Sequence, residues 1–137
     1  MLKQIITQGI RSDEAGDGHF GASRGSRTHR GVDYDCDPVA PVLCLVAGKV
    51  TKLGYCYADD LSWRYVQVTD KDSYKHRFFY VTPTVQVGDF IGRESIIGVA
   101  QDITERYPSQ GMNAHVHYEI KTTKGEYLDP EEFHKTP

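Results

Sequence analysis

The chain has 137 residues, of which 39% are hydrophobic and 26% are charged, a mixture that excludes wholesale disorder and fits one globular domain. The formal net charge of −3 creates no overall positive field, so no nucleic-acid partner is expected. The longest apolar run, residues 42–47, is too short to cross a bilayer, so no membrane association is expected. We predict a monomeric single domain over residues 1–137, with a core of about residues 16–134.

The first eight residues lack the extended apolar stretch of a secretory signal peptide, which predicts synthesis in the cytoplasm without such a signal. Cys36, Cys44 and Cys56 are odd in number and show no CxxC spacing. We therefore expect mostly reduced thiols packed in or near a core, although one pair could oxidise outside the cell.

The predicted elements begin with a loop. Residues 11–31 are rich in glycine, serine and arginine, which indicates a long functional loop rather than a helix or regular strand. Residues 42–51 are typical of one buried strand that bends at Gly48. Residues 64–69 and 77–82 alternate in polarity around a polar turn and predict a hairpin.

The second half of the chain continues this strand pattern. Strands are predicted over residues 95–99 and 115–121, with a turn over residues 102–107. A single helical turn is predicted at the end, with Asp129 as its N-cap and Pro130 at its first position. Many short strands without a sustained helical period predict an all-β antiparallel sandwich with long surface loops.

Two histidine motifs are candidates for chemistry. His29 and Asp33 lie at a loop-to-strand boundary, and His115 and His117 lie two residues apart on a predicted strand. Side chains at i and i+2 of a strand share one face, with Cα atoms about 6.6 Å apart. His29, Asp33 and one histidine of the pair would provide three ligands and leave a position for water, as in catalytic zinc sites. Spacing alone does not distinguish this site from a strand that carries two histidines without metal.

Longer motifs resemble a known family. The motif HxGVD at residues 29–33, VxVGD at 85–89, HxHxE at 115–119 and DP at 129–130 occur in the order found in LytM/lysostaphin-type zinc endopeptidases. The resemblance extends over about residues 16–134. It is closest to a sub-group that contains the leukocyte-derived chemotaxin and short phage-associated relatives, through the segments GDGHFGASR at 16–24, FYVTP at 79–83 and YP at 107–108.

This resemblance implies a fold, a cofactor and a reaction. His29, Asp33 and His117 would ligate one Zn²⁺ per chain, and His115 would be the general base beside the metal. The implied fold is a β-sandwich with the site in a groove. The implied reaction is hydrolysis of peptide bonds in the stem or cross-link peptides of bacterial peptidoglycan. Such a protein would act at the cell wall or in the periplasm, as a phage lysin or a virion-associated hydrolase.

The chain departs from the family at one catalytic position. Active members carry a further histidine on the strand before the VxVGD turn, and the alignment of motifs places Thr82 there. Loss of such a group commonly costs about 10²–10³ in rate. Tyr80, with the same strand parity as Thr82, could supply an O–H, although core packing is an equal alternative. His19 and Tyr107 are further candidates, for which a structural role is the better interpretation.

Other positions have two interpretations each. Arg24 and Thr82 are candidate substrate contacts, whereas a solvated ion-pair face is the alternative for Arg24. Glu119 could hold an imidazole in one tautomer, or could be a plain charge at the rim. His76 and His134 are expected at the surface. The alternative function is a catalytically impaired zinc-binding module that recognises a wall fragment or another protein.

Overall fold

The computed structural model describes residues 10–24 and 27–135, and antiparallel strands provide nearly all of their regular structure. One short helix, α1 (Pro130–Lys135), and a 3-10 turn at Ile103–Glu105 complete it. The prediction of an all-β antiparallel fold is confirmed. The strands in chain order are β1 Ser12–Asp13, β2 Gly16–Asp17, β3 Ser23–Arg24, β4 Arg27–Thr28, β5 Val32–Asp35, β6 Pro41–Leu43, β7 Gly48–Tyr57, β8 Asp60–Thr69, β9 Lys75–Phe79, β10 Val81–Pro83, β11 Phe90–Ile91, β12 Ile96–Ala100, β13 His115–Lys121 and β14 Tyr127–Leu128.

A seven-stranded sheet carries the candidate site. Its order is β11-β7-β8-β9-β13-β14. Strand β5 pairs with the first half of β13, and β14 pairs with the end of the same strand. Strand β13 begins and ends where the sequence predicts, because the alternation of valine, tyrosine and isoleucine with polar residues is unbroken there. The predicted hairpin of residues 64–69 and 77–82 is present in part as β8 and β9, but the second strand ends at Phe79, and Val81–Pro83 forms β10 in another sheet.

A three-stranded sheet, β10-β12-β6, forms the second layer. Its buried residues Val42, Val81 and Ile97 join Val66 and Phe78 of the large sheet in one apolar cluster. Burial of this kind contributes about 1.5–3 kcal/mol for each large aliphatic or aromatic side chain. The apolar cluster therefore lies between the two sheets, as in a sandwich.

The structure corrects two predicted elements in the first half. Residues 11–31 are not free of strands, because β1 pairs with β2 and β3 pairs with β4 in two short ladders. Residues 42–51 are not one strand, because β6 belongs to the small sheet and β7 to the large one. The apolar residues 44–46 lie between them and are buried in the cluster, so their hydrophobicity reflects the core rather than a continuous ladder.

The prediction that His76 and His134 lie at the surface is wrong. His76 is fully buried, and its Nε2 lies 2.8 Å from Asp70 Oδ2 while its Nδ1 lies 2.7 Å from the Tyr118 hydroxyl. The same hydroxyl lies 2.8 Å from Nε2 of the half-buried His134 on α1. An ionised Asp70 accepts from His76, which accepts from Tyr118, which accepts from His134. In this arrangement His76 is a neutral imidazole with its proton on Nε2, and the hydrogen bond from His134 ties α1 to the sheet.

The remaining local predictions can be compared directly. The Asp129 carboxylate accepts a hydrogen bond from the backbone N–H of Glu131 at 3.0 Å, which confirms the cap of α1. The predicted turn over residues 102–107 contains the 3-10 turn. Cys36 and Cys44 belong to the apolar cluster, and Cys56 is half-buried. In the described residues no helix has the length and apolar character needed to cross a membrane, and the signal-peptide prediction concerns residues outside them.

Candidate metal centre

Strand pairing places the histidine and carboxylate motifs side by side. In the ladder between β5 and β13, Asp33 is directly opposite His117, although the two are 84 positions apart in the chain. Gly31 allows the approach of the preceding segment, because a Cβ there would collide with the backbone oxygen of Tyr118 and lie 2.9 Å from Cε1 of His117. His29, two residues before Gly31, therefore contacts the side chains of His117 and Asp33.

Three ligand atoms converge at this point. His117 Nδ1 lies 2.8 Å from Asp33 Oδ1, and His29 Nε2 lies 3.1 Å from His117 Nδ1 and 3.2 Å from Asp33 Oδ1. Tetrahedral zinc with N/O bonds of about 2.0–2.2 Å holds its ligand atoms about 3.3–3.6 Å apart. The observed separations are slightly shorter than this range, so the residues fit a divalent ion with small adjustments. The structure thus brings together the three predicted ligands.

Hydrogen bonds on the far side of each imidazole select the nitrogen that faces the centre. His29 Nδ1 lies 3.0 Å from the carbonyl oxygen of His19, and His117 Nε2 lies 2.9 Å from Glu119 Oε1. Because a carbonyl and a carboxylate accept, each imidazole donates outward and presents its other nitrogen to the metal position. Glu119 is buried and contacts His117, so a carboxylate that holds an imidazole in one tautomer describes it better than a charge at the rim.

Asp33 is held as a buried carboxylate. Burial acts to raise its pKa, but hydrogen bonds with His117 and His29 hold that pKa well below its usual range. Its Oδ2 also lies 3.2 Å from Nε of the buried Arg11, which is itself paired with Asp13 at 2.8 Å. A permanent cation therefore neutralises the oxygen that does not face the imidazole ligands.

The surroundings of His117 favour the imidazolium form, with a proton on both ring nitrogens, in the metal-free protein. Burial acts to lower its pKa, but hydrogen bonds with Asp33 and Glu119 raise the pKa of His117 to about 9. A metal ion at this centre must displace that proton, so metal binding is coupled to proton release.

His115 has the properties of a base. Its Nδ1 lies 2.8 Å from the carbonyl oxygen of Asn113, to which it must donate, so Nε2 is the free lone pair. That Nε2 lies 3.7 Å from Asp33 Oδ2. Burial lowers the pKa of His115, against the opposing effect of Asp33, which favours the neutral ring. His115 is therefore a neutral imidazole whose unprotonated nitrogen faces the centre.

A cavity of about 460 Å³ opens at this centre. Arg24, a predicted substrate contact, lines it, with Nη2 2.8 Å from the carbonyl oxygen of Asp17 and 3.6 Å from Asp33 Oδ2. The described residues that line it are Arg24, His29, Arg30, Asp33, Cys56, Tyr57, Arg77, Phe79, Tyr80, Ile103, Tyr107, Met112, His115, His117, Glu119 and Tyr127.

The structure separates Tyr80 from Thr82. Strand β9 ends at Phe79, and Tyr80 has a φ of 72°, a left-handed backbone that costs a tyrosine about 1–2 kcal/mol. Thr82 lies on β10 in the other sheet, is exposed and is not among the described residues that line the cavity, so its contact with substrate stays a prediction. The parity argument for Tyr80 is wrong, because the strand is broken. Tyr80 nevertheless lines the cavity, with its ring edge-on to His115 at 5.5 Å between centroids.

The other two candidate catalytic residues, His19 and Tyr107, differ in their position relative to the cavity. The ring of His19 is exposed and bonds Asp17, so His19 contributes its backbone carbonyl rather than its imidazole. Tyr107 lines the cavity and bonds the hydroxyl of Tyr57. Sequence reasoning missed the roles of Arg11 and Tyr57. An isolated cation at the start of the glycine-rich segment gives no signal for Arg11, and no local pattern distinguishes Tyr57 from the other aromatic residues near it.

Solved structures share this fold. The catalytic domain of the antimicrobial peptidase lysostaphin from Staphylococcus simulans matches with a TM-score of 0.67 and 21% identity, over 88% of this chain and 91% of that one. The whole of lysostaphin is matched over 52% of its length. The catalytic domain of a mutant of the prophage-encoded M23 protein EnpA from Enterococcus faecalis matches with a TM-score of 0.62 and 19% identity, over 90% and 88%. Identities this low establish the fold alone.

Sequence comparison assigns the family. No curated protein matched the sequence of the chain significantly. The model of peptidase family M23 matches residues 27–130, a range that contains all three candidate ligands as well as His115 and Tyr80. Since this match extends over most of the chain, the protein belongs to peptidase family M23.

Proposed function

We propose that the chain is a zinc-dependent endopeptidase that hydrolyses peptide bonds in the stem or cross-link peptides of bacterial peptidoglycan. The observation that carries this proposal is the convergence of His29 Nε2, Asp33 Oδ1 and His117 Nδ1 within 3.2 Å of one another, in the same cavity as His115. Three protein ligands with space for water are the arrangement of catalytic rather than structural zinc.

Different residues of the chain have different roles in the proposed hydrolysis. A zinc ion at this centre would polarise a carbonyl and lower the pKa of a bound water. His115 Nε2 is placed to accept a proton, and the Asn113 carbonyl keeps this nitrogen unprotonated and aimed at the centre. Arg11 and Glu119 hold Asp33 and His117 in place through their outer atoms.

The substrate class rests on sequence motifs and on names of structural neighbours. The motifs HxGVD and HxHxE imply peptidoglycan through the family they resemble. One neighbour is named an antimicrobial peptidase and another a prophage-encoded M23 protein, which supports a phage-type wall hydrolase. Action at the cell wall or in the periplasm, as a monomer with one zinc, completes the proposal. The likeness to the chemotaxin-containing sub-group stays a prediction.

A second candidate function is a zinc-binding recognition module. Among the described cavity residues, His115 is the one imidazole that is not a candidate ligand, and the position aligned with the second catalytic histidine, Thr82, is exposed and is not among the residues that line the cavity. A site with one acid–base group binds metal and ligand as well as a complete site does but reacts more slowly.

Peptidoglycan digestion separates the two candidates. Purified zinc-loaded protein, His115→Ala and His117→Ala are incubated with isolated sacculi, and released muropeptides and metal content are measured. The proposal predicts about one zinc per chain in the wild type and His115→Ala, loss of zinc in His117→Ala, and release by the wild type at least about 10²-fold above both variants. Release by the wild type equal to that of the variants, with zinc still bound, would establish the recognition module instead.

A further inference from the structure

Three tyrosine hydroxyls from separate elements form a chain that ends in the cavity. The Tyr107 hydroxyl lies 3.0 Å from that of Tyr57, which lies 3.3 Å from that of Tyr80. Tyr57 ends β7, Tyr107 follows the 3-10 turn, and Tyr80 separates β9 from β10. All three line the cavity together with His115.

An arginine at the outer end of this chain favours one direction of hydrogen bonding along it. Arg106 Nε lies 3.4 Å from the Tyr107 hydroxyl, and a guanidinium can only donate. Arg106 is itself held by Asp59 at 3.2 Å, with its guanidinium carbon 3.6 Å from the centre of the Tyr57 ring. Tyr107 accepts from Arg106, and this contact favours donation of its own proton to Tyr57, the direction of the Tyr107–Tyr57 hydrogen bond. Tyr57 in turn donates to Tyr80, whose own proton remains available for a further acceptor.

The inner end is held by backbone hydrogen bonds in the same cavity as the candidate ligands. The backbone N–H of Tyr80 donates to the carbonyl of Arg64 at 2.8 Å, and its carbonyl accepts from Gln101 at 2.8 Å. These bonds hold Tyr80 in its left-handed conformation, with its ring edge-on to His115. Strained residues retained at a site point to a functional role. The Tyr80 O–H is therefore available to a hydrogen-bond acceptor that enters the cavity.

We propose that the chain Arg106–Tyr107–Tyr57–Tyr80 presents an oriented hydroxyl donor to the anionic oxygen that develops on a substrate carbonyl at the metal centre. This inference rests on the proposed function and deepens it. Tyr80 is a second catalytic residue beside His115, because its hydroxyl would contact the reacting oxygen, and Tyr57 and Tyr107 are positioning residues. No proton is transferred, since the hydroxyl only donates a hydrogen bond. Successive donation along the chain polarises the last O–H and strengthens it as a donor.

Tyrosine-to-phenylalanine variants test the donor, because each removes one hydroxyl and keeps the ring. Inorganic phosphate, a tetrahedral oxyanion, is titrated calorimetrically into the zinc-loaded wild type, Tyr80→Phe and Tyr57→Phe. Tyr55→Phe is the matched control, because Tyr55 lies on the same strand β7 but is 52% exposed. We expect phosphate binding to weaken about 10-fold in Tyr80→Phe and about 3-fold in Tyr57→Phe, with no change in the control. One zinc per chain in every variant shows that the fold is intact.

Turnover on sacculi provides the second measurement. We expect kcat to fall about 10²–10³-fold in Tyr80→Phe and about 10-fold in Tyr57→Phe, with KM within twofold of the wild-type value. An active wild type whose turnover and phosphate binding are matched by Tyr80→Phe would overturn the inference and leave the proposed function standing. An inactive wild type would overturn the proposed function. The phosphate titration then decides alone whether Tyr80 is an oxyanion donor, and equal binding by Tyr80→Phe refutes it.

Discussion

Substitution of Glu119 by glutamine tests whether a carboxylate behind His117 sets the affinity of the metal centre. Glu119 is 6% exposed. Its Oε1 lies 2.9 Å from His117 Nε2, and its Oε2 lies 3.4 Å from Arg77 Nη1. Glutamine keeps the length of the side chain but removes the charge, so the imidazole becomes a weaker base and its orientation is less firmly fixed.

The expected loss follows from the role of such outer partners. Removal of a carboxylate that holds a ligating imidazole typically costs about 10–100-fold in metal affinity, or about 1.4–2.7 kcal/mol. The neutral side chain also supports a positive His117 less well, which makes loss of the competing proton easier. We therefore expect the zinc dissociation constant of Glu119→Gln to rise by about 10-fold, towards the lower end of this range, at pH 7.5.

Competition with a chromophoric chelator measures this affinity directly. Glu126→Gln is the matched control, because it removes the same charge from an exposed position in the turn between β13 and β14. Its affinity should equal that of the wild type. A Glu119→Gln affinity within threefold of the Glu126→Gln value would refute the reasoning that this carboxylate supports the ligand.

Two further predictions concern the fold around the site. Burial, followed by the nearby His76, lowers the pKa of His134 to about 4, so the unfolded chain takes up a proton below about pH 6.5 that the folded protein does not. Stability should fall by about 1–2 kcal/mol between pH 7 and pH 4, after screening by solvent is allowed for, and urea unfolding should show a smaller fall in His134→Gln. Gly31→Ala should lose about 1–3 kcal/mol of unfolding free energy and bind zinc weakly, because its methyl group would separate His29 from His117. Wild-type zinc affinity in that variant would contradict this.

The sequence alone determined the strand character of the chain and the identity of the three candidate ligands. Period-two alternation is a local property, which is why β13 has its predicted bounds and why the pairing of β8 with β9 is predicted correctly although their ends differ. The spacing of His115 and His117 on one strand is equally local. The pairing of His117 with Asp33 required the order of motifs along the chain, since no local rule relates residues 84 positions apart.

Tertiary structure decided the surroundings of the ligands. Arg11 was an unremarked cation in the sequence, yet it is buried against Asp33 because the first ladder folds over β5. Tyr80 rather than Thr82 faces the cavity because the backbone turns at a positive φ between two sheets, which reverses any parity count. Strand alternation specifies faces only within one continuous ladder, whereas the meeting of side chains from different elements depends on register and packing.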